Sequence, residues 1–194
     1  ELDNPYGKSK LAAEQLVEQL ASETDNCAVI FRLPGVFGKW CKPNYNSVVA
    51  TFCHNIAHGL PIQINDATST VQLVYVEDVV DKFLSSLDEP QTGLDRGEIP
   101  QRYAITLGEL AEQISAFHNC RTSLISERVG TGLTRALYST YISYLPPEQF
   151  AYDLPHYSDE RGIFVEMLKT PDCGQFSFFT VHPRVTRGSH YHHT

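Results

Sequence analysis

Between residues 6 and 117 the chain alternates short apolar runs with longer segments whose apolar residues recur at helical spacing. Few architectures accept that alternation. Residues 6–20 read as a helix, Asp25-Asn26 breaks it, and an apolar strand is expected over 27–33. Val48, Val49, Phe52, Ile56 and Leu60 approximate a helical stripe that Ser47 can cap and Gly59 can stop. Short strands are expected over 61–64 and 71–76, parted by a turn at Asn65-Asp66. Glu77-Asp78 opens a helix reaching Leu87, with its acids at the positive end of the helix dipole. Residues 88–100 read as loop and 102–105 as strand. Thr106-Leu107-Gly108-Glu109 then has the spacing of a capping box before a helix over 110–117. Strands and helices in this order suit the second half of an α/β domain.

The pattern changes near Leu133. A helix is expected over 133–145, with Tyr138, Tyr141, Tyr144 and Tyr152 on or near it. Pro146-Pro147 stops it, because proline lacks the N–H and clashes with the preceding turn. Beyond, Asp159-Glu160-Arg161-Gly162 reads as a turn flanked by strand-like 164–168 and 174–181, the signature of an all-β unit. A domain boundary is expected near Pro146, dividing 1–146 from 147–194.

A formal charge of −8 argues against a nucleic-acid partner, since phosphate binding on that scale needs a basic face. It leaves room for a nucleotide-sugar, for which a few local donors suffice. Hydrophobic content of 42% and charged content of 20% are ordinary for a soluble globular protein. No apolar run approaches the ~18 residues of a membrane helix, so no membrane partner is expected. Cys27, Cys41, Cys53, Cys120 and Cys173 are odd in number, scattered and without C-x-x-C, which points to packed thiols in a reducing cytoplasm. The chain begins with Glu1, enters a helix at once and stops at Thr194 without a closing turn, so it is expected to be a fragment.

Tyr6 and Lys10 lie four apart on the first helix, which puts both side chains on one face. A free phenol is a poor acid or base at neutral pH, and an ammonium held close favours the phenolate. Such a pair can pass a proton to or from a substrate oxygen. A bare Y-x-x-x-K is weak, because most such pairs are surface helix residues. Here it stands within Asn4-Pro5-Tyr6-Gly7-Lys8-Ser9-Lys10-Leu11-Ala12-Ala13-Glu14, followed by Ala28-Val29-Ile30-Phe31-Arg32-Leu33 and Pro34-Gly35-Val36-Phe37-Gly38. That order resembles the extended short-chain dehydrogenase/reductase family, which includes nucleotide-sugar epimerases and reductases. Val74-Tyr75-Val76-Glu77-Asp78 resembles the V-x-V-x-D of the same family.

The resemblance implies the C-terminal half of a Rossmann-like reductase domain, with the glycine-rich turn and a catalytic Ser or Thr upstream of this chain. It implies Tyr6 and Lys10 as the catalytic pair, with both, and Leu33 and Val36 through backbone, at the nicotinamide. Asn44 or Asn46 would meet the sugar, and a homodimer through the Tyr helix is expected. Many relatives carry an Arg-Asp-Phe before the valine strand, whose Arg meets the diphosphate. Val71, Gln72 and Leu73 stand there instead, so that clamp is absent or supplied from elsewhere.

Residues 188–194 read Gly-Ser-His-Tyr-His-His-Thr. On a strand, His190 and His192 share a face, as a pair of metal ligands requires, and neutral imidazoles suit zinc. The plain alternative is a polar strand end. Glycine followed by H-x-H after short strands resembles the first cupin motif, whose remaining ligands would lie beyond Thr194; His193 replaces His192 if the strand bulges. A reductase joined to the start of a cupin jelly roll resembles bifunctional capsular-polysaccharide enzymes.

What this implies is NADPH-dependent reduction, with NADH the alternative, of the C4 ketone of a UDP-4-keto-6-deoxy-N-acetyl amino sugar, with an epimerisation linked to the zinc-bearing cupin. The chain by itself would be inactive. The rival readings are a nucleotide-sugar 4-epimerase or dehydratase and a non-enzymatic reductase-like binding module. Two further patterns carry less. Gly130-Thr131-Gly132-Leu133-Thr134-Arg135 nearly spells a dinucleotide fingerprint after a strand-like 122–125, but Arg135 stands where a small residue is needed. His54 and His58 sit four apart on a helix with no third ligand evident, and a capping or solvated role is expected of them.

Overall fold

In the computed structural model, which describes residues 4–88 and 93–188, the first helix begins where the sequence supplies both a cap and a proline. Helix α1 (Pro5–Glu23) starts with the Asn4 side chain accepting from the Gly7 amide at 2.8 Å, and Pro5 sits in the first turn, where its missing N–H costs nothing. The helix therefore runs beyond the expected 6–20 at both ends. The chain forms two units, one from Glu1–Gly38 and Thr70–Ile105, the other from Lys39–Ser69 and Thr106–Thr194.

In the first unit, β1 (Ala28–Phe31) pairs in parallel with β4 (Leu94–Gly97), Ala28 opposite Leu94 and Phe31 opposite Gly97. Gly97 is required there, since a Cβ would lie 2.2 Å from the Phe31 ring. Strands β2 (Gly35–Phe37), β3 (Thr70–Tyr75) and β5 (Tyr103–Thr106) form a second sheet in that order, with β2 and β3 parallel. Helix α3 (Val76–Asp88) follows β3 without a linker. Val74, Val79 and Ile99 make a small core, with Phe31 and Leu33 packed against it. The Phe31 and Phe83 rings meet at 4.8 Å. Two strands lie where the sequence reading placed none: β4 inside the expected loop 88–100, and β2 between the expected strand 27–33 and the helix that Ser47 caps.

The second unit is built on α2 (Val48–Ala57), α4 (Leu107–Ser123) and α5 (Gly132–Ile142). Val49, Phe52, Cys53, Leu110, Ile114, Phe117, Leu137 and Tyr141 are each buried to 3% exposure or less. Burying one large side chain of this kind contributes about 1.5–3 kcal/mol. The Phe117 ring meets Tyr138 edge-on at 5.2 Å and Tyr141 at 6.0 Å. Ser47 caps α2, accepting from the Ala50 amide at 3.2 Å, and Gly59, with φ of 65°, follows its end. The capping box before α4 forms as expected, with Thr106 and Glu109 each bonded to the other's backbone N–H.

Two expected strands are absent. Residues 61–64 are irregular: the Pro61 carbonyl accepts from Asn55 Nδ2 at 3.0 Å rather than from a neighbouring strand. Residues 122–125 hold the end of α4 instead, with Leu124 left-handed at φ 59° and Ile125 making one isolated bridge to Lys169.

Helix α5 ends at Ile142, and after Pro146 a short 3-10 turn, Pro147–Gln149, follows. Strands β6 (His156–Asp159), β7 (Gly162–Thr170) and β8 (Gly174–Phe179) then form an antiparallel sheet. Glu160-Arg161 is the two-residue turn of the first hairpin. Gly162 takes φ 138°, and a Cβ there would lie 2.2 Å from the Thr180 carbonyl oxygen. Three antiparallel strands agree with an all-β unit but do not by themselves make a jelly roll. Among the described residues, no helix is long and apolar enough to cross a membrane.

Candidate active site

Helix α1 presents Tyr6 and Lys10 one turn apart at its start, with Lys10 Nζ 5.4 Å from the centre of the Tyr6 ring. Tyr6 is 68% exposed, so its phenol is open to a ligand. The Ser9 hydroxyl donates to the Tyr6 carbonyl at 2.8 Å, a bond to the backbone that does not involve the phenol.

The helix that carries the pair is fixed by charge. Arg32, just past β1, donates to both carboxylate oxygens of Glu14, at 2.7 Å through Nη2 and 3.1 Å through Nε. Arg96 on β4 donates to Glu18 at 2.5 Å. The Arg32 hydrogen bonds hold the Glu14 carboxyl below its ordinary range, with the Arg32 and Arg96 charges adding to the effect. Glu14 is one turn beyond Lys10, so these pairs set the rotation of α1 on the β1–β4 sheet and thereby the direction in which Tyr6 and Lys10 point.

Leu33 packs its side chain into the core of the first unit, which leaves its backbone as the part able to meet a ligand. Val36 is 38% exposed between Gly35 and the buried Phe37. A Cβ on Gly38 would sit 2.3 Å from Val76 Cγ1, so this glycine lets the end of β2 lie against the start of α3. The structure thus places Tyr6, Lys10, Leu33 and Val36 in one unit, and Asn44 and Asn46 in the other.

Asn44 and Asn46 are both exposed, and Asn44 is left-handed, with φ of 53° and its amide donating to Thr51 Oγ1 at 2.9 Å. The same loop contains a residue to which the sequence assigns no role. Trp40 is 83% exposed and takes φ of 61°, a region that costs a non-glycine residue ~1–2 kcal/mol. The available signal was a lone tryptophan in a loop rich in Gly, Pro and Asn.

His190 and His192 lie outside the described residues. Among the described residues, no group of three His, Cys, Asp or Glu side chains is placed to hold a metal ion. The segment leading to the histidines is anchored: Arg187 donates to Asp159 Oδ1 at 2.8 Å, and His182 donates its amide to the Arg161 carbonyl at 3.0 Å. Hydrogen bonds from Arg161 first, and from Arg187 as well, hold the Asp159 carboxyl far below the usual range.

His54 and His58 stack at 4.3 Å, but His58 Nδ1 bonds the His54 carbonyl at 2.8 Å and His54 Nδ1 bonds Asn55 at 3.1 Å. His58 thus caps the end of α2, as expected, while His54 bonds a neighbouring side chain. Gly130 to Gly132 is no cofactor turn either: no strand precedes it, and Thr131 stands before α5 without a side-chain cap bond.

Comparison with known proteins matches two stretches of the chain. The model of the NAD dependent epimerase/dehydratase family matches residues 2–105, and that of a polysaccharide biosynthesis C-terminal domain matches residues 157–194. The chain is 56% identical over 194 residues to a UDP-2-acetamido-2,6-beta-L-arabino-hexul-4-ose reductase of Pseudomonas aeruginosa, covering all of this chain and 52% of that protein. It superposes with a TM-score of 0.89, at 42% identity, on the crystal structure of the capsular polysaccharide assembling protein CapF from Staphylococcus aureus, covering 99% of this chain and 52% of that one. A UDP-glucose 4-epimerase of Thermus thermophilus in complex with NAD shares the fold at a TM-score of 0.58 and 16% identity, over 74% of this chain and 55% of that one. The chain therefore spans about half the length of these first two relatives.

Proposed function

The chain belongs to the NAD dependent epimerase/dehydratase family, and from that premise we propose that it carries the proton-donating part of a nicotinamide-dependent nucleotide-sugar reductase. The observation that carries this reading is the Tyr6–Lys10 pair, exposed on the first turns of α1 with the ammonium 5.4 Å from the ring. The 56% identical reductase from Pseudomonas aeruginosa supports the substrate class, a UDP-linked N-acetyl amino sugar with a C4 ketone.

A phenol and an ammonium side by side, both open to solvent, fit a cofactor ribose and a carbonyl oxygen. Bound NADPH, with NADH as the alternative, supplies the hydride. Tyr6 donates its phenolic proton to the C4 oxygen as negative charge develops there. Lys10 stabilises the phenolate left behind and bonds the ribose hydroxyls, and solvent returns the proton to Tyr6. Leu33 and Val36 contact the nicotinamide side through their backbone, and Asn44 and Asn46 meet the sugar.

Residues 147–194 begin a cupin that epimerises the centre beside the ketone, with the boundary at Pro146. The matched C-terminal domain and the antiparallel β6–β8 sheet support a separate β unit there. His190 and His192 would hold the zinc through their imidazoles; no step of the reduction passes through it. The complete protein works as a homodimer in the cytoplasm, in capsular or O-antigen polysaccharide precursor synthesis.

The test is to give the full-length protein a UDP-4-keto-6-deoxy-N-acetyl amino sugar with NADPH and follow the nicotinamide absorbance. One NADPH should be consumed per ketone reduced. No consumption with the keto sugar, together with interconversion of C4 epimers in the presence of NAD alone, would replace the reductase with the epimerase reading.

A further inference from the structure

We propose that residues 39–46 hold the nucleoside diphosphate end of the substrate, with Trp40 as the surface on which the base stacks and Lys42 as the cation at the diphosphate. This rests on the nucleotide-sugar reading above and names the residues that would select its nucleotide end.

The first observation is conformational. Trp40 is the one aromatic residue among the described residues with positive φ, and its side chain is 83% exposed. A bulky residue in that region signals strain held by its surroundings, and such strain collects at ligand-binding positions. Burial does not explain the indole, because most of it is in water.

The second observation is that the loop is held in shape. Tyr144 donates its hydroxyl to the Cys41 carbonyl at 2.5 Å, the Asn44 amide donates to Thr51 Oγ1 at 2.9 Å, and the Trp40 amide lies 3.5 Å from Ser143 Oγ. These ties flank Lys42 and Tyr45, which stays 73% exposed with Lys42 Nζ 5.6 Å from its ring centre. The large side chains are thus presented on a backbone that other parts of the unit fix, which lowers the entropy lost on binding.

The third observation selects the ligand. In a chain of net charge −8, residues 39–47 carry Lys39 and Lys42 and no carboxylate. Exposed aromatic faces beside lysines are the chemistry of a nucleotide: the rings take a base and the cation takes phosphate. β3 offers no alternative cation at Val71, Gln72 or Leu73.

The test is calorimetric titration of the full-length protein with UDP and with uridine, in wild type, Trp40→Gly, Trp40→Phe and Lys42→Met. Glycine takes φ of 61° freely, so Trp40→Gly should melt at or above the wild-type temperature. It should weaken UDP and uridine alike by roughly tenfold, the order expected for a lost base–aromatic stack. Trp40→Phe should recover most of that loss. Lys42→Met should weaken UDP by roughly tenfold, leave uridine unchanged and flatten the salt dependence of UDP binding. Wild-type affinity for UDP in Trp40→Gly overturns the proposal while leaving the nucleotide-sugar reading intact. A wild-type protein that binds neither UDP nor uridine overturns both.

Discussion

Helix α1 buries one of its 19 residues, Ala21, whereas the 10-residue α2 buries Val49, Ala50, Phe52, Cys53 and Ala57. Leu16 and Leu20 on α1 stay 67% and 53% exposed, while Val49 and Cys53 on α2 are fully buried. The two helices are held by different forces. α1 lies on its sheet through the Glu14–Arg32 and Glu18–Arg96 pairs, and α2 is fixed by packing with α4 and α5. The difference separates chemistry from stability. Groups that must touch a ligand need an open helix, and Tyr6 and Lys10 have one. Packing removes a group from use: burial pushes the Cys53 thiol far up, so it stays a neutral packed group.

The separation is broken most strongly at Lys10. In the full-length protein, Lys10→Met should lower both the reduction rate, by at least about 10²-fold, and NADPH affinity, with the melting temperature unchanged. Rate and calorimetry check this, and a wild-type rate would remove Lys10 from the chemistry. The opposite dissociation is expected at Leu137, fully buried on α5. Leu137→Ala should cost about 2–5 kcal/mol in urea unfolding while leaving the rate per folded molecule unchanged. A cost under about 1 kcal/mol would mean that this helix packing carries little of the stability. Loss of the cap on α4 is smaller. Thr106→Ala removes the two hydrogen bonds of the Thr106 hydroxyl, to the Glu109 amide and carboxylate, keeps the bond from the residue-106 amide to Glu109, and should cost about 1 kcal/mol.

The smallest effect is the response to pH. Glu14 is held below its ordinary value near 4.5, so its contribution to folding is complete above that value and is lost as pH falls through the depressed native one. Acid should therefore weaken the hold on α1, and also the capping box of α4 and the first β hairpin, whose Glu109 and Asp159 are depressed by their hydrogen bonds as well. Burial pushes the Tyr141 hydroxyl up to about 12. Its contribution is complete below the ordinary phenol value of about 10 and is lost as pH rises from there through about 12. Alkali should therefore loosen α4 and α5 first. Hydrogen exchange by segment, corrected for intrinsic rates, checks both limbs, and protection lost equally in both units at high pH would contradict the alkaline one.

What the sequence discloses follows the range of the interactions. The Thr106–Glu109 box, the Ser47 cap and the turn at Glu160-Arg161 were legible because their partners lie within a few residues. Strand β4 was not, because Leu94-Asp95-Arg96-Gly97 has one large apolar residue and becomes a strand by backbone pairing with β1. Strand β2 was hidden by Pro34 and Gly35, which favour a turn, and residues 61–64 look like a strand but pair with no strand among the described residues. The same rule governs the site. Tyr6 and Lys10 were legible because one helical turn joins them. The shape of the loop around Trp40 was not, because the Tyr144–Cys41 bond that helps to fix it spans 103 residues.

The most direct test of the separation is Tyr6→Phe in the full-length protein, with rate, NADPH affinity and melting temperature measured on the same preparation. The phenol is lost while the ring beside Lys10 is kept, at a position 68% exposed. The reduction rate is expected to fall by about 10²–10⁴-fold, the usual worth of general-acid catalysis, with affinity and melting temperature unchanged. A variant that keeps more than about a tenth of the rate would contradict the assignment of Tyr6 as the proton donor.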